Sequence, residues 1–262
     1  MLIGKLKTGL WFLQRPTCWV HAVALFFRKF QYDKDRLQLR SEAGAWAAER
    51  AVTVDKALSI IGLMDNTDDY ICSLPNSLVK EAETLACTSE AKMGGPGDLG
   101  LLYAATYLSK ATRIVETGVA YGWSSLAILA ALERQDKARL ISVDMPYPKM
   151  GNENWVGVVV AERFRKKWHL IREPDRNGLK KALALFDGSI DLCHYDSDKS
   201  YQGRQFAYPL LWNALRSGGI FISDDIQDNF AFKEFVQIKN VPFAVTEFQG
   251  KYVGIVSKPL PL

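Results

Sequence analysis

Residues 113–132 read R-I-V-E-T-G-V-A-Y-G-W-S-S-L-A-I-L-A-A-L, and no other stretch limits the fold as much. Ile114 and Val115 have the β-branched character of a buried strand end. Gly118 and Gly122 then mark a tight loop, and an apolar helix begins near Trp123, with Ser124 and Ser125 as its N-cap chemistry. Strand, glycine loop and helix in that order place a nucleotide-type pocket at the carboxyl edge of a parallel sheet. Glycine in such a loop lets backbone N–H groups approach a ligand with no Cβ between them. The spacing is E-x-G-x-x-x-G, not the G-x-G-x-x-G of a dinucleotide fingerprint. Glu116 also stands on the strand end, where a pyrophosphate would be repelled. A cationic, phosphate-free ligand suits that position.

The stretch E-T-G-V-A-Y-G-W-S-S resembles the first motif of the class I S-adenosylmethionine (SAM)-dependent methyltransferases. Within that superfamily it is most similar to the catechol and caffeoyl-CoA O-methyltransferases, over about residues 93–256. The resemblance implies SAM as cofactor, with Glu116, Gly118, Tyr121, Gly122 and Ser124 around it. Residues 92–97, K-M-G-G-P-G, precede a helix as a flexible loop. In the enzymes it resembles, a methionine-bearing loop there lies over the cofactor, which brings in Met93 and Gly94.

A second strand over residues 140–143 ends in Asp144, 28 positions after Glu116. An acidic residue at that strand end can accept hydrogen bonds from both ribose hydroxyls. Residues 145–157 are too rich in Pro and Gly for an ordinary turn and leave from the catalytic edge, so they read as a substrate loop. Tyr147 and Trp155 are its stacking platforms. Residues 158–167 read as a helix, 168–172 as a third strand, and 173–177 fall near the adenine by position.

Residues 189–195 form a fourth strand that ends in Asp196-Ser197-Asp198-Lys199-Ser200-Tyr201, followed by a helix over 202–215. Gly218 and Gly219 turn into a fifth strand that ends in Asp224-Asp225. Parallel strands deliver their carboxyl ends to one edge, so Asp196, Asp224 and Asp225 should converge. A hard divalent cation such as Mg²⁺ would relieve their repulsion. Asp-Ser-Asp-Lys resembles the D-x-D-K stretch of the caffeoyl-CoA enzymes, whose first Asp binds metal. The acidic pair, and the D-x-D-K-S-Y run, are more similar to macrolide-sugar O-methyltransferases and cephalosporin-hydroxylase-like proteins. That similarity shifts the expected acceptor from a catechol toward a sugar or natural-product hydroxyl. Lys199 falls where the family places its general base, and a nearby cation would lower its pKa. His194 reads as a packed or hydrogen-bonded histidine. Residues 243–248 and 252–256, around Gln249-Gly250-Lys251, read as a terminal hairpin, with a helix over 229–235 before it.

At 262 residues the chain accommodates one large α/β domain with an extension. Its net charge of +4 makes no case for a nucleic-acid partner, but the charge is uneven. Residues 1–40 hold eight basic side chains (Lys5, Lys7, Arg15, Arg28, Lys29, Lys34, Arg36, Arg40) against Asp33 and Asp35. Leu2, Ile3, Leu6, Leu10 and Leu13 recur at helical spacing, Pro16 interrupts, and residues 19–27 resume the apolar run. That run is shorter than the ~20 residues of a membrane span, and no small-residue cleavage site of a secretory signal follows it. Two readings of residues 1–30 stand: an arm packing on the domain or on a second copy, and a peripheral helix on an anionic membrane. Cys18, Cys72, Cys87 and Cys193 form no C-x-x-C pair, which favours a reducing, cytoplasmic setting.

The expectation is therefore a Rossmann-like α/β fold: a seven-stranded, mostly parallel sheet with an antiparallel last strand and a helical N-terminal extension. Its divisions are a basic arm at 1–40, a helical cap at 41–90 and the catalytic domain at 91–262, with breakers at 65–69. The expected activity is SAM-dependent O-methylation of a small-molecule or glycan hydroxyl, with Lys199 and Asp196 as catalytic residues and Asp196, Asp224 and Asp225 as Mg²⁺ ligands. Its rivals are an oxidoreductase or hydroxylase-like protein on the same fold, and a non-catalytic scaffold whose arm binds membrane or partner.

Overall fold

The computed structural model describes residues 9–28, 36–64, 73–147 and 151–260. Lys5, Lys7, Lys29 and Lys34 of the arm, Cys72, the breaker at 65–69 and residues 148–150 of the substrate loop lie outside these.

Eight strands form one sheet: β1 (Ala51–Val52), β2 (Arg113–Thr117), β3 (Arg139–Val143), β4 (Trp168–Ile171), β5 (Ile190–Tyr195), β6 (Leu215–Ser223), β7 (Phe243–Phe248) and β8 (Lys251–Ser257). Their order is β1-β7-β8-β6-β5-β2-β3-β4. Only β8, the last strand, runs antiparallel to its neighbours β6 and β7. The seven expected strands are present, and β1 is an addition at the edge, with Ala51 opposite Val245. Two residues are too few to show a period of two, so the segment read as part of the helical cap.

The helices with complete bounds are α1 (Trp19–Arg28), α2 (Arg36–Ala48), α3 (Val54–Ile60), α4 (Asn76–Cys87), α5 (Leu99–Leu108), α6 (Trp123–Ala131), α7 (Asp175–Ala184), α8 (Tyr201–Ala214) and α9 (Ala231–Lys239). α2 is continuous through residues 40 and 41, where the arm was expected to end. Residues 158–167 are not the expected α-helix. After Gly157 (φ +73°) the chain turns, and only Glu162–Lys167 winds, as a 3₁₀ helix without a side-chain cap.

Both faces of the sheet are covered, and the strands show it by alternation. Ile114, Leu140, Leu192 and Ile220 pack against α5 and α6 on one face. Val115, Ile141, Cys193 and Phe221 pack against α7, α8 and α9 on the other. Burying both faces is what makes each strand a short apolar run. β2 is central: the chain moves outward from it through β3 to β4, then returns to lay β5 on its other side. The chain after β2 and the chain after β5 consequently lead to helices on opposite faces, α6 and α8, as expected at a topological switch point.

Candidate active site

The carboxyl edge of the sheet is a row of residues that each step one place beyond a strand. The N–H of Asp144 donates to Ile171 O, that of Gly118 to Val143 O, that of Asp196 to Thr117 O and that of Asp224 to Tyr195 O, at 2.9–3.0 Å. Strand pairing therefore sets Asp144, Gly118, Asp196 and Asp224 side by side. Of the three carboxylates expected to converge, Asp196 and Asp224 stand in this row, and Asp225 follows Asp224.

The glycine loop lies against its neighbours on both sides. Gly118 has φ +80°, and a Cβ there would stand 2.4 Å from the carbonyl oxygen of Asp196. At Gly122 (φ +94°) a Cβ would meet Gly157 Cα and Val160 Cγ2 at 2.9 Å, so this glycine serves the approach of the 157–160 segment. Gly122 is also the N-cap of α6 and offers no side chain to it. Ser124 and Ser125 do not cap the helix as expected; they lie inside it, and Ser125 Oγ donates to Glu116 Oε2 (2.5 Å).

Glu116 is fully buried, below the loop and not in its mouth. Its register partners Ser142 and His194 flank it, Ser142 Oγ donating to Oε2 (2.6 Å) and His194 Nδ1 lying 3.6 Å from Oε1. The carboxylate that seemed placed for a cationic ligand supports the loop from beneath. Tyr121 is also structural in part: its hydroxyl donates to Ala91 O (2.6 Å) and accepts from Met93 N–H (3.3 Å), which pins the methionine loop. Met93 Sδ accepts from Asn152 Nδ2 at 3.3 Å, whereas Gly94 is exposed with nothing near it.

Asp144 is buried, and its Oδ1 accepts the Val119 N–H (2.9 Å). Arg172 pairs with its other oxygen and reaches Glu153 at 3.1 Å. Burial raises the Asp144 carboxyl above its usual range against those donors. The residue borders a cavity of about 350 Å³ whose wall continues through Met145, Tyr147, Pro174, Asp175, Ser197, Asp198 and Lys199. Residues 173–177 thus reach the cavity as expected by position, and Tyr147 is there; Trp155 is half-buried and not among the lining residues. Three carboxylates and several apolar walls form a donor set that fits a cationic nucleoside with free hydroxyls, so the cavity passes that chemical test for SAM.

At the other end of the cavity the acidic trio meets the chain's own cations. Lys199 Nζ lies 3.2 Å from Asp196 Oδ1 and also bonds Asp225. Lys251 Nζ is 3.7 Å from Asp225, and His194 Nε2 is 3.3 Å from Asp224 Oδ1. Among the described residues no three His, Cys, Asp or Glu side chains gather as metal ligands. A divalent ion needs oxygens turned toward one point, and here an ammonium stands between two of them. As arranged, the trio does not fit Mg²⁺.

The charges shift accordingly. Burial, then the neighbouring Asp224, pushes the Asp196 carboxyl up, to about 7. Burial would lower Lys199, but Asp196 and Asp225 outweigh it and hold the ammonium charged, the reverse of the lowered pKa expected for a base. His194 is likewise raised, to about 10, because Asp224 and Glu116 overcome its burial. Asp225 stays below the usual carboxylate range despite its burial, through Lys199.

Four contributors were not singled out in the sequence. Arg172 faces Asp144 from the next strand end, and Asp175 accepts from Ser197 Oγ (2.5 Å) in the cavity wall. His21 brings the N-terminal arm to the same wall. Arg204, fully buried in α8, donates to the carbonyls of Asp224 (3.0 Å) and Asp225 (2.7 Å), fixing the left-handed turn at Asp225 (φ +51°). An arginine within an otherwise apolar helix face was the available signal for it.

Residues 115–226, which run from β2 past the acidic pair, match a family model described as a methyltransferase domain. The chain is similar in structure to an O-methyltransferase from Bacillus cereus in complex with S-adenosylhomocysteine (SAH), at 14% identity and TM-score 0.54, covering 79% of this chain and 100% of that one. SAH-bound methyltransferase PaMTH1 from Podospora anserina is similar at 20% identity and TM-score 0.51, over 71% and 89% of the two chains. CalS11, a TDP-rhamnose 3'-O-methyltransferase of calicheamicin biosynthesis, is similar at 15% identity and TM-score 0.50, over 74% and 99%. No curated protein matches by sequence. The match to a methyltransferase domain is thus confined to residues 115–226, and the mostly parallel, Rossmann-like sheet is one the chain shares with O-methyltransferases.

Proposed function

We propose that this protein is a SAM-dependent O-methyltransferase acting on a hydroxyl of a small molecule or sugar. One observation carries the reading: a single cavity at the carboxyl edge of the sheet runs from Asp144 to Lys199, whose ammonium pairs with Asp196 outside the lining. Gly118 and Asp144 are the residues to hold the cofactor, the first by backbone approach and the second as acceptor for ribose hydroxyls. Tyr121 keeps the Met93 loop against the site. When bound, SAM supplies a methyl group activated by its sulfonium.

The remaining chemistry is the acceptor's proton. Asp196, lifted to about 7, is in its ionised form basic enough to take that proton as the oxygen attacks. Lys199, held as an ammonium, stabilises the developing negative charge on the oxygen. Lys199, expected as the base, thus acts as the cation, and Asp196, expected as a metal ligand, acts as the base. A sugar acceptor accords with the CalS11 likeness and with the acidic pair.

Calorimetric titration with SAM tests the reading, with Asp144→Ala as control. Binding by the wild type that the variant loses supports it and justifies screening hydroxyl acceptors, sugars first. Absence of SAM binding to the folded wild type would remove the methyltransferase reading and leave the scaffold.

A further inference from the structure

The N-terminal arm has one side committed to the domain and one side bare. Cys18 is buried, Thr17 O accepts from Asn177 Nδ2 (2.7 Å) at the start of α7, and His21 lines the cavity with Asp144 and Lys199. Internally the arm is braced by Trp19 Nε1 donating to Phe12 O (2.9 Å) and by the Arg15 guanidinium 4.3 Å over Trp11. The outward side holds Leu10, Leu13, Trp19, Val20 and Val23, each at least half exposed. These are five of the thirteen exposed large hydrophobics among the described residues, within fourteen positions of chain. Trp19, Val20 and Val23 share one stripe of α1, at i, i+1 and i+4. An apolar cluster of this kind marks a binding surface.

Charge selects the occupant. Residues 1–40 carry eight basic side chains against two acidic ones. A second copy of this arm would bring the same charge, whereas an anionic lipid surface brings the opposite one. Length fixes the mode: α1 is ten residues, about 15 Å, half of a ~30 Å hydrocarbon core. No helix among the described residues is long and apolar enough to cross a membrane.

We propose that the arm is an interfacial anchor, its Leu10–Leu13 and Trp19–Val20–Val23 surface lying in an anionic membrane while its inner side walls the cavity. Binding then combines apolar burial with attraction to acidic headgroups. The arm ties the catalytic cavity to a lipid surface through His21.

The test is flotation of the full-length protein with phosphatidylcholine vesicles, with and without phosphatidylglycerol, beside a Val20→Asp/Val23→Asp variant that leaves the Trp19 brace in place. Both positions are exposed, so the variant should keep its fold, checked by its melting curve, and its SAM affinity. The expected result is binding to the anionic vesicles alone, weakened by high salt and at least about tenfold in the variant. Failure of the wild type to bind anionic vesicles would overturn the proposal, as would binding that the variant retains in full. A dimer seen by light scattering that the variant dissociates, without lipid binding, would assign the surface to a second copy instead.

Discussion

A Cβ on Gly118 would stand 2.4 Å from the carbonyl oxygen of Asp196, so the loops after β2 and β5 touch backbone to backbone. The contact is made by two segments 78 positions apart. Gly118→Ala must relieve both this clash and a φ of +80° that an L side chain resists. We expect it to lower SAH affinity at least about tenfold and to cost about 1–3 kcal/mol of stability. Gly94→Ala, with nothing within 4 Å, should leave the melting temperature unchanged. Isothermal titration with SAH and a thermal melt of each variant decide this. Wild-type affinity in Gly118→Ala would mean that the two loops are not fixed relative to each other.

Lys199 and a divalent ion compete for the same oxygens. Its ammonium lies between Asp196 and Asp225, so removing it leaves two like charges facing each other with no cation between them. Lys199→Met should therefore bind Mn²⁺ at least about tenfold more tightly than the wild type, read by electron paramagnetic resonance. Methyl transfer by that variant should fall by about 10²-fold or more, since the stabilising cation is gone. Equal Mn²⁺ affinity in the two proteins would show that the ammonium does not hold the position in solution.

His194 joins the support beneath the glycine loop to the acidic edge, with Glu116 on one nitrogen and Asp224 on the other. Its pKa is raised to about 10, above the ~6.5 of an unfolded histidine. The sign follows from linkage: the imidazolium's contribution is fully present below about pH 6.5 and is lost as pH rises through about 10. NMR of the histidine ring should accordingly show His194 charged at neutral pH. His194→Gln leaves the buried Glu116 and the half-buried Asp224 carboxylates without their cation and should cost about 3 kcal/mol. Its melting temperature should also lose the downward slope between neutral and alkaline pH. A slope identical to that of the wild type would assign the alkaline loss to other groups.

Periodicity made most of the fold legible, because β2, β3, β5 and β6 are buried on both faces and must be short apolar runs. Strand ends also foretold the row Asp144, Gly118, Asp196 and Asp224, since parallel pairing leaves no other place for them. Direction was what the sequence did not carry. Whether Glu116 faces a ligand or the interior depends on one step of a two-residue alternation, and Ser142 and His194 claim it from flanking strands. The cation at the acidic trio was equally hidden: Lys199 was visible, but its choice between facing out as a base and bridging Asp196 to Asp225 is a tertiary outcome. β1 went unread because two residues have no period, and the 3₁₀ turn at Glu162–Lys167 because its charges resemble a solvated helix face.

Asp191 shows what holds the sheet at the edge away from the cavity. It is the second residue of β5, and its Oδ2 accepts the N–H groups of Thr112 (2.9 Å) and Arg113 (2.8 Å) and the Thr112 hydroxyl (2.9 Å). Its Oδ1 receives Arg113 Nη2 (3.2 Å) and Arg216 Nε (2.8 Å), so one carboxylate ties the starts of β2, β5 and β6. Burial opposes the charge, but these donors prevail and lower the pKa to about 2. Its folded value lies below the ~3.9 of an unfolded aspartate, so the stabilisation is present above about pH 4 and lost as pH falls through about 2. Asp191→Ala leaves those N–H groups and two guanidinium groups without their acceptor and should cost about 2–4 kcal/mol at neutral pH. Urea denaturation at about pH 7 and about pH 3 should show the gap between variant and wild type narrowing on acidification. SAH affinity should stay at the wild-type value, because the residue and the cavity occupy opposite edges of the sheet. A variant that loses SAH binding while folded would mean that the amino edge reports to the site through β2, and that the two edges are not independent.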